Sequence, residues 1–307
     1  MPRHFGIAAV QMRVVPWNSP ATLDRMAELI ETTKSMFPWI DLICFPELCP
    51  TGVYSFSTPP PGANRYDTAQ AIPGPMTARF AEMARRHRVW LLPGSMFELD
   101  GGGIYNTAVV LSPEGEPVAR YRKMFSWRPW EQTQAGSEYC VFDVSGIGRF
   151  GLAICYDGWF PEFIRTLVWM GAEVILHPTL TATADRDAEV IIEQAQAIFN
   201  QCYMIDVNAI GGMGGGRSLI VDPNGRVMQQ AGNHEEILTQ VIDLDLVRHV
   251  REYGTLGLNQ LLKQLRDFPG RFPPYQEGLA QGEGFRHLGP LQLHKDLSGF
   301  GKPDRSP

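Results

Sequence analysis

Short strand-like runs alternate with helix-like periods along most of this chain, and that alternation limits what it can fold into. Residues 5–11 favour a strand, and Leu23, Met26 and Ile30 then recur at helical spacing. Strands interleaved with helices form layered α/β proteins. Turn signals such as Asp-Pro-Asn-Gly at 222–225 add hairpins, so the sheets should be mixed.

The same patterns place the individual elements. The predicted strands are 5–11, 41–45, 89–97, 105–111, 117–122, 150–155, 174–177, 202–209, 218–221, 227–230 and 237–243. One predicted helix begins at residues 18–20, and the others span 76–87, 161–170, 185–201 and 246–253. We predict one domain over residues 1–267 and an extended C-terminal arm over 268–307, where Gly and Pro are frequent and no period remains.

Composition excludes several classes of protein. The net charge of −6 and the absence of any Lys/Arg run argue against a nucleic-acid partner. No apolar run approaches the roughly 18–20 residues that a membrane helix needs, so no membrane association is expected. The five cysteines are an odd number and follow no export signal, which predicts reduced thiols and a cytoplasmic location.

Three reactive side chains follow directly on predicted strands or lie at their ends. Glu47 follows Ile-Cys-Phe-Pro, Lys123 follows Ala-Arg-Tyr-Arg, and Cys155 follows Gly-Leu-Ala-Ile. Functional sites of open α/β sheets gather where the carboxyl ends of strands enter loops. We therefore expect these three groups to meet, although they are far apart in sequence.

Each of the three residues also has a simpler interpretation. Cys155 precedes a turn that leads into a helix, which suits a nucleophile with backbone N–H groups behind it, but a buried structural cysteine fits equally. Glu47 is a proton-transfer group if burial raises its pKa, and otherwise a loop or capping residue. Lys123 stabilises an anion or is a solvated strand end. A dyad of Cys155 with His177 is a competing arrangement.

Taken together, three segments resemble the nitrilase superfamily of carbon–nitrogen hydrolases. They are "FPELCPTG", "YRKMFSWRPWE" and "GLAICYDGWFPEFIR", in that order, and the resemblance runs from about Phe5 to about Val250. It implies a four-layer α-β-β-α sandwich with two mixed sheets and a homo-oligomer in which the arm packs on a neighbour. It also implies Glu47 as general base, Lys123 as oxyanion-stabilising cation, Cys155 as nucleophile and Glu131 as a second glutamate that positions substrate.

Differences from the patterns of other family branches narrow the range of expected substrates. Cys155-Tyr156-Asp157 replaces the Cys-Trp-Glu that is usual in nitrile-cleaving members, and Gly158-Trp159 replaces the arginines of N-carbamoyl-amino-acid hydrolases. The resemblance is closest to the aliphatic amidase and formamidase branch. The candidate substrate-binding residues are Tyr54, Trp127, Tyr156, Trp159 and His177, although the tryptophans could equally belong to the core.

The sequence thus predicts an amidohydrolase that cleaves a small linear amide to a carboxylic acid and ammonia through a cysteine thioester. The implied chemistry needs no metal and no organic cofactor. Alternatives are a hydrolase of N-carbamoyl or other ureido compounds, a nitrilase, an acyltransferase that uses the same thiol, and a catalytically silent assembly subunit. The last is disfavoured because Glu47, Lys123, Glu131 and Cys155 are all present.

Overall fold

The fold is known from a computed structural model, which describes residues 2–53, 59–128, 131–272, 275 and 288. The strands are β1 (His4–Gln11), β2 (Leu42–Cys44), β3 (Trp90–Leu92), β4 (Ser95–Asp100), β5 (Gly103–Leu111), β6 (Pro117–Arg122), β7 (Val141–Val144), β8 (Gly148–Leu152), β9 (Val174–Thr179), β10 (Tyr203–Asn208), β11 (Leu219–Val221), β12 (Val227–Gln230) and β13 (Glu236–Asp243). The helices are α1 (Ser19–Met36), α2 (Pro75–His87), α3 (Pro161–Trp169), α4 (Asp185–Asn200), α5 (Leu244–Tyr253) and α6 (Leu261–Asp267).

These strands form two mixed sheets. The first has seven strands in the order β13-β1-β2-β3-β5-β4, with β6 paired to β5, and the second has six in the order β12-β11-β10-β9-β8-β7. Strands β1, β2 and β3 run parallel in the first sheet, and β8, β9 and β10 run parallel in the second. The remaining pairs are antiparallel, so the predicted α-β-β-α sandwich with two mixed sheets is confirmed.

Alternation along β1 shows how the layers are held. Ile7 and Ala9 point into the core between the sheets, where they join residues of the second sheet. Ala8 and Val10 point to the other face, where they pack with residues of α1 and α2. Because successive side chains of a strand face opposite sides, one apolar strand buries both faces of its sheet.

The structure corrects several predicted boundaries. Residues 89–97 form two strands rather than one, because the chain turns at Pro93-Gly94 and Gly94 has φ +84°. Strand β8 ends at Leu152 rather than at Cys155, which instead begins a short 3₁₀ helix (Cys155–Trp159). Strand β7 and helix α6 were not predicted, because each is too short to show a clear period.

The predicted arm lies mostly outside the described residues. Residues 268–272 continue from α6 without regular structure, and Tyr275 contacts the ring of Trp169 with 6.4 Å between centroids. The division at residue 267 therefore stays a prediction. Among the described helices, none combines the length and the apolar character that crossing a bilayer requires.

The turn at Gly94 lies against the segment that carries Glu47, and this contact can be tested. A Cβ at residue 94 would lie 1.8 Å from the carbonyl oxygen of Pro46, whereas Gly62 has the same φ of +84° and nothing within 4 Å. We expect Gly62→Ala to cost about 1 kcal/mol of unfolding free energy, since only the left-handed backbone opposes it. Gly94→Ala should cost about 1–3 kcal/mol more, because it also overpacks the turn.

Urea unfolding of both variants measures the difference. Equal losses of unfolding free energy in Gly94→Ala and Gly62→Ala would show that the close approach to Pro46 is unimportant.

Candidate active site

Glu47 is held at the junction of the two sheets. It lies three residues beyond β2, and its backbone N–H donates to the carbonyl of Thr179 at the end of β9, 3.2 Å away. Leu48 follows with φ +49°, which turns the chain away and leaves the Glu47 carboxylate directed inward. Its side chain is buried, with 3% of the residue exposed.

Lys123 directly follows β6, and 2% of the residue is exposed. Its Nζ donates to Oε1 of Glu47 and to Oε2 of Glu131, each at 2.8 Å. Glu131 is fixed in turn by the backbone N–H of Trp127 at 3.0 Å and by the Thr133 hydroxyl at 3.0 Å. The structure therefore places one buried cation between two carboxylates.

Asn106 on β5 completes this cluster, and the sequence analysis missed it. Its Nδ2 donates to Oε1 of Glu47 at 2.8 Å and to Oε1 of Glu131 at 3.1 Å, and its backbone carbonyl accepts from the Lys123 N–H at 2.8 Å. The residue is fully buried on β5, shortly before the apolar run of residues 108–111. An amide within a predicted core strand is the one signal in the sequence that could have identified it.

The pKa values of the two carboxylates in the cluster shift in opposite directions. Burial raises the pKa of Glu47, and the neighbouring charge of Glu131 adds to that rise against the opposing effect of Lys123. Burial also acts to raise the pKa of Glu131, but the charge of Lys123 and the hydrogen bonds that Glu131 accepts outweigh burial and lower this pKa. Burial acts to lower the pKa of Lys123, yet the two carboxylates raise it well above its ordinary value. Lys123 is thus a permanent cation, and Glu47 is the carboxylate that more readily takes a proton.

Cys155 sits on a strained turn opposite this cluster. Its φ is +47°, a region that non-glycine residues rarely occupy, and its Sγ lies 3.8 Å from the Thr181 hydroxyl. Burial raises the pKa of the Cys155 thiol well above its usual range, Glu47 raises it further, and Lys123 partly opposes them. The resting side chain is therefore a thiol, which needs a base to become a nucleophile.

Asp157 ties this turn to the loop that carries Lys123. Its Oδ2 accepts from the Ile154 N–H at 2.9 Å and from the Tyr121 hydroxyl at 2.7 Å, while its Oδ1 accepts from the Phe125 N–H at 2.9 Å. Burial raises the pKa of Asp157 to about 6. The sequence analysis used Asp157 only to characterise the substrate, because its partners Tyr121 and Phe125 lie more than thirty residues away in the chain.

The side chains of this site open into one cavity of about 200 Å³. Glu47, Lys123, Glu131 and Cys155 all line it, so the structure brings the four predicted groups together. Of the predicted substrate-binding residues, Trp127, Tyr156 and Trp159 also line the cavity. Tyr54 lies outside the described residues.

His177 lies behind Cys155 rather than on the cavity wall. Its side chain is fully buried, with Nε2 2.8 Å from the carbonyl oxygen of Cys155 and Nδ1 2.7 Å from Oε1 of Glu193. A buried ring whose nitrogens both have protein partners does not reach a substrate in the cavity, which differs from the predicted contact. The imidazole also contacts the backbone of Cys155 rather than its thiol, so this geometry does not form a Cys–His dyad.

His177, Glu193 and Asp206 also have potential metal-ligand atoms within 4.8 Å of one another. Asp206, however, is already bound by the guanidinium of Arg186, and the His177 ring nitrogens already have partners. A metal ion would have to displace these contacts, so we assign no metal to this group.

Other polar residues also line the cavity, among them Thr181, Thr183 and Asp185. Arg65 reaches it, and the Arg65 Nε is buried with no hydrogen-bond partner among the described residues. The apolar part of the wall includes Val53, Phe97 and Leu180. The site thus combines a thiol, a charge cluster, an apolar surface and a guanidinium group.

Comparisons with known proteins show the family of this chain. The carbon–nitrogen hydrolase family model matches residues 6–252. A formamidase of Bacillus cereus (strain B4264) is 31% identical over 218 residues, which are 67% of this chain and 63% of that protein's own length. A formamidase of Bacillus anthracis (strain CDC 684 / NRRL 3495) is 30% identical over 218 residues, with the same shares covered. The chain thus spans less than two thirds of the length of these two formamidases.

Solved structures show the same fold. A carbon–nitrogen hydrolase from Helicobacter pylori G27 superposes with a TM-score of 0.77 at 24% identity, covering 91% of this chain and 99% of that one. A cysteine-to-alanine mutant of an amidase from Nesterenkonia sp. AN1, solved in complex with butyramide, superposes with a TM-score of 0.69 at 23% identity. The match covers 80% of this chain and 94% of that one.

Proposed function

The chain belongs to the carbon–nitrogen hydrolase family, and from that premise we propose that it hydrolyses a small linear amide to a carboxylic acid and ammonia, with Cys155 as nucleophile. The observation that carries the proposal is that Cys155, Glu47, Lys123 and Glu131 line one cavity. The similarity to formamidases supports the choice of an amide as substrate.

The first half of the reaction follows from the protonation states. Because the pKa of Glu47 is raised, its carboxylate is a better base than an exposed one, and it accepts the Cys155 proton as sulfur attacks the amide carbon. Two N–H bonds of Lys123 already point at carboxylates, which leaves the third for the developing oxyanion. The backbone N–H of Tyr156 is the second proposed donor.

The second half returns the enzyme to its starting state. Glu47 passes its proton to the leaving nitrogen, the C–N bond breaks, and ammonia departs from a thioester on Cys155. Water then loses a proton to Glu47 and attacks the thioester, which releases the carboxylic acid, and Glu47 reprotonates the sulfur. Glu131 remains ionised throughout and holds Lys123 in place.

The remaining expectations stay part of this proposal. The chain acts as a cytoplasmic homo-oligomer, and its arm from residue 268 packs on a neighbour. An N-carbamoyl hydrolase would release carbon dioxide with ammonia, a nitrilase would convert a nitrile to its acid, and an acyltransferase would favour an amine or hydroxylamine over water. The products therefore distinguish these alternatives.

A product assay with matched cysteine variants tests the proposal. We expect ammonia and the corresponding acid from formamide or short aliphatic amides, and we expect Cys155→Ala to lower kcat at least about 1,000-fold, since the nucleophile is lost. Cys140→Ala is the control, because Cys140 is a partly exposed thiol outside the cavity lining. If Cys155→Ala turned over amide at the rate of Cys140→Ala, the proposed mechanism would be wrong.

Arg65 favours, as a second candidate, an amide that also carries an acidic group. A buried guanidinium N–H without a partner is costly unless a ligand supplies an acceptor, and carboxylates suit arginine well. We therefore expect succinamic acid to be used more efficiently than butyramide, which has the same number of carbons and no charge.

Arg65→Gln separates the two candidates. It should raise KM for succinamic acid about 10- to 100-fold, as loss of a hydrogen bond to a charged group predicts, and leave KM for butyramide nearly unchanged. Equal effects on both amides would remove Arg65 from this role.

A further inference from the structure

Behind the cavity, His177 contacts the one backbone group that governs the direction of the proposed oxyanion donor. Its Nε2 is 2.8 Å from the carbonyl oxygen of Cys155. That carbonyl and the N–H of Tyr156 belong to the same peptide unit. In a planar trans peptide the C=O and N–H point in opposite directions, so a group that holds the carbonyl on one side fixes the N–H on the other.

We propose that His177 is a positioning residue that holds the Cys155–Tyr156 peptide plane and thereby aims the Tyr156 N–H at the developing oxyanion. This inference rests on the proposed function, because it assigns His177 a part in that reaction. The need for such a support is clear from the backbone, since Cys155 has φ +47° and its surroundings must keep it in that sparsely populated conformation.

The protonation of His177 makes it a reliable donor. A carbonyl oxygen only accepts, so Nε2 carries the hydrogen. The proton between Nδ1 and Glu193 can sit on either side without removing the hydrogen at Nε2. Burial acts to lower the pKa of His177, but Glu193, Asp206 and Glu189 raise it to about 10. While the shared proton lies on Nδ1, the bond to Cys155 is charge-assisted, and such bonds are stronger than neutral ones.

The packing around the imidazole shows that it is built into the turn. A Cβ at residue 158 would lie 2.6 Å from Cε1 of His177, so only glycine lets the 3₁₀ helix pass this close to the ring. The carbonyl of Gly158 accepts a hydrogen bond from Nε2 of Gln196 at 3.0 Å. Helix α4 thus supports the turn directly through Gln196 and indirectly through Glu193.

The same helix also reaches the thiol. The Thr181 hydroxyl donates to Oε1 of Glu189 at 3.1 Å and lies 3.8 Å from Sγ of Cys155, and Arg186 pairs with both Glu189 and Asp206. These buried charges form one network around His177. The network fixes the imidazole from the side opposite to Cys155, as a positioning role requires.

Two substitutions of His177 separate positioning from simple packing. Gln places its amide nitrogen near the former Nε2 and can still donate to the Cys155 carbonyl, whereas Asn reaches only the former Nδ1 and Glu193. We expect His177→Asn to lower kcat about 100-fold, the usual range for loss of one oxyanion donor, with KM changed less than about threefold. His177→Gln should retain kcat within about tenfold of wild type.

Two further readouts exclude a general loss of structure. An aldehyde matching the substrate adds to Cys155 as a tetrahedral oxyanion, so its affinity should weaken in His177→Asn by the same factor as kcat. Alkylation of Cys155 by iodoacetamide passes through no oxyanion, so its rate should stay at the wild-type value. If His177→Asn does not fold, His177→Met, which fills the site without a donor, takes its place.

The outcomes are distinct. Wild-type kcat and aldehyde affinity in a folded His177→Asn or His177→Met protein would overturn the inference, as would an equal loss in His177→Gln. A parallel fall in the alkylation rate would also overturn it, because it would show a displaced thiol. Absence of amide hydrolysis by the wild-type protein would instead contradict the proposed function itself.

Discussion

The site depends on one buried ammonium group that two carboxylates share. Lys123 is nearly inaccessible to solvent and lies 2.8 Å from both Glu47 and Glu131. Removing three charges from water is costly, and their mutual attraction and the hydrogen bonds that the two carboxylates accept offset that cost. Burial raises the pKa of Glu47 and the charge of Glu131 raises it further, and the single cation Lys123 does not cancel both effects. The same contacts that hold the cluster together thus create a base suited to accept the proton of a thiol.

Both sheets are needed to assemble this site. Glu47 and Lys123 follow strands of the first sheet, while Cys155 follows β8 of the second. The bond from the Glu47 N–H to the Thr179 carbonyl joins the sheets directly. Asp157 joins the loop after β6 to the turn at Cys155. A change in the packing of one sheet on the other would therefore separate the base from the nucleophile, even if each sheet stayed intact.

The sequence predicted the layers of the fold and the candidate catalytic residues, because the signals for both are local. Strand-like runs, helical periods and reactive residues beyond strand ends can each be read from a short window. Asn106, Asp157 and His177 show where that approach stops. Each acts through partners that are distant in the chain, so its neighbours carry no sign of the contact. The sequence analysis expected His177 to contact the substrate. The structure buries His177 behind the turn, where it does not reach the cavity.

The central claim is that burial and the charges of Lys123 and Glu131 together set the pKa of Glu47, and the pH dependence of kcat/KM with a neutral amide tests it most directly. Since Glu47 must be ionised to act as a base, the acidic limb should lie above the ordinary carboxyl pKa of about 4.3. Glu131→Gln removes a charge that raises the pKa of Glu47, so that limb should move to lower pH. The exposed Glu138→Gln should leave it in place. An acidic limb that stays fixed or moves to higher pH in Glu131→Gln would contradict the account.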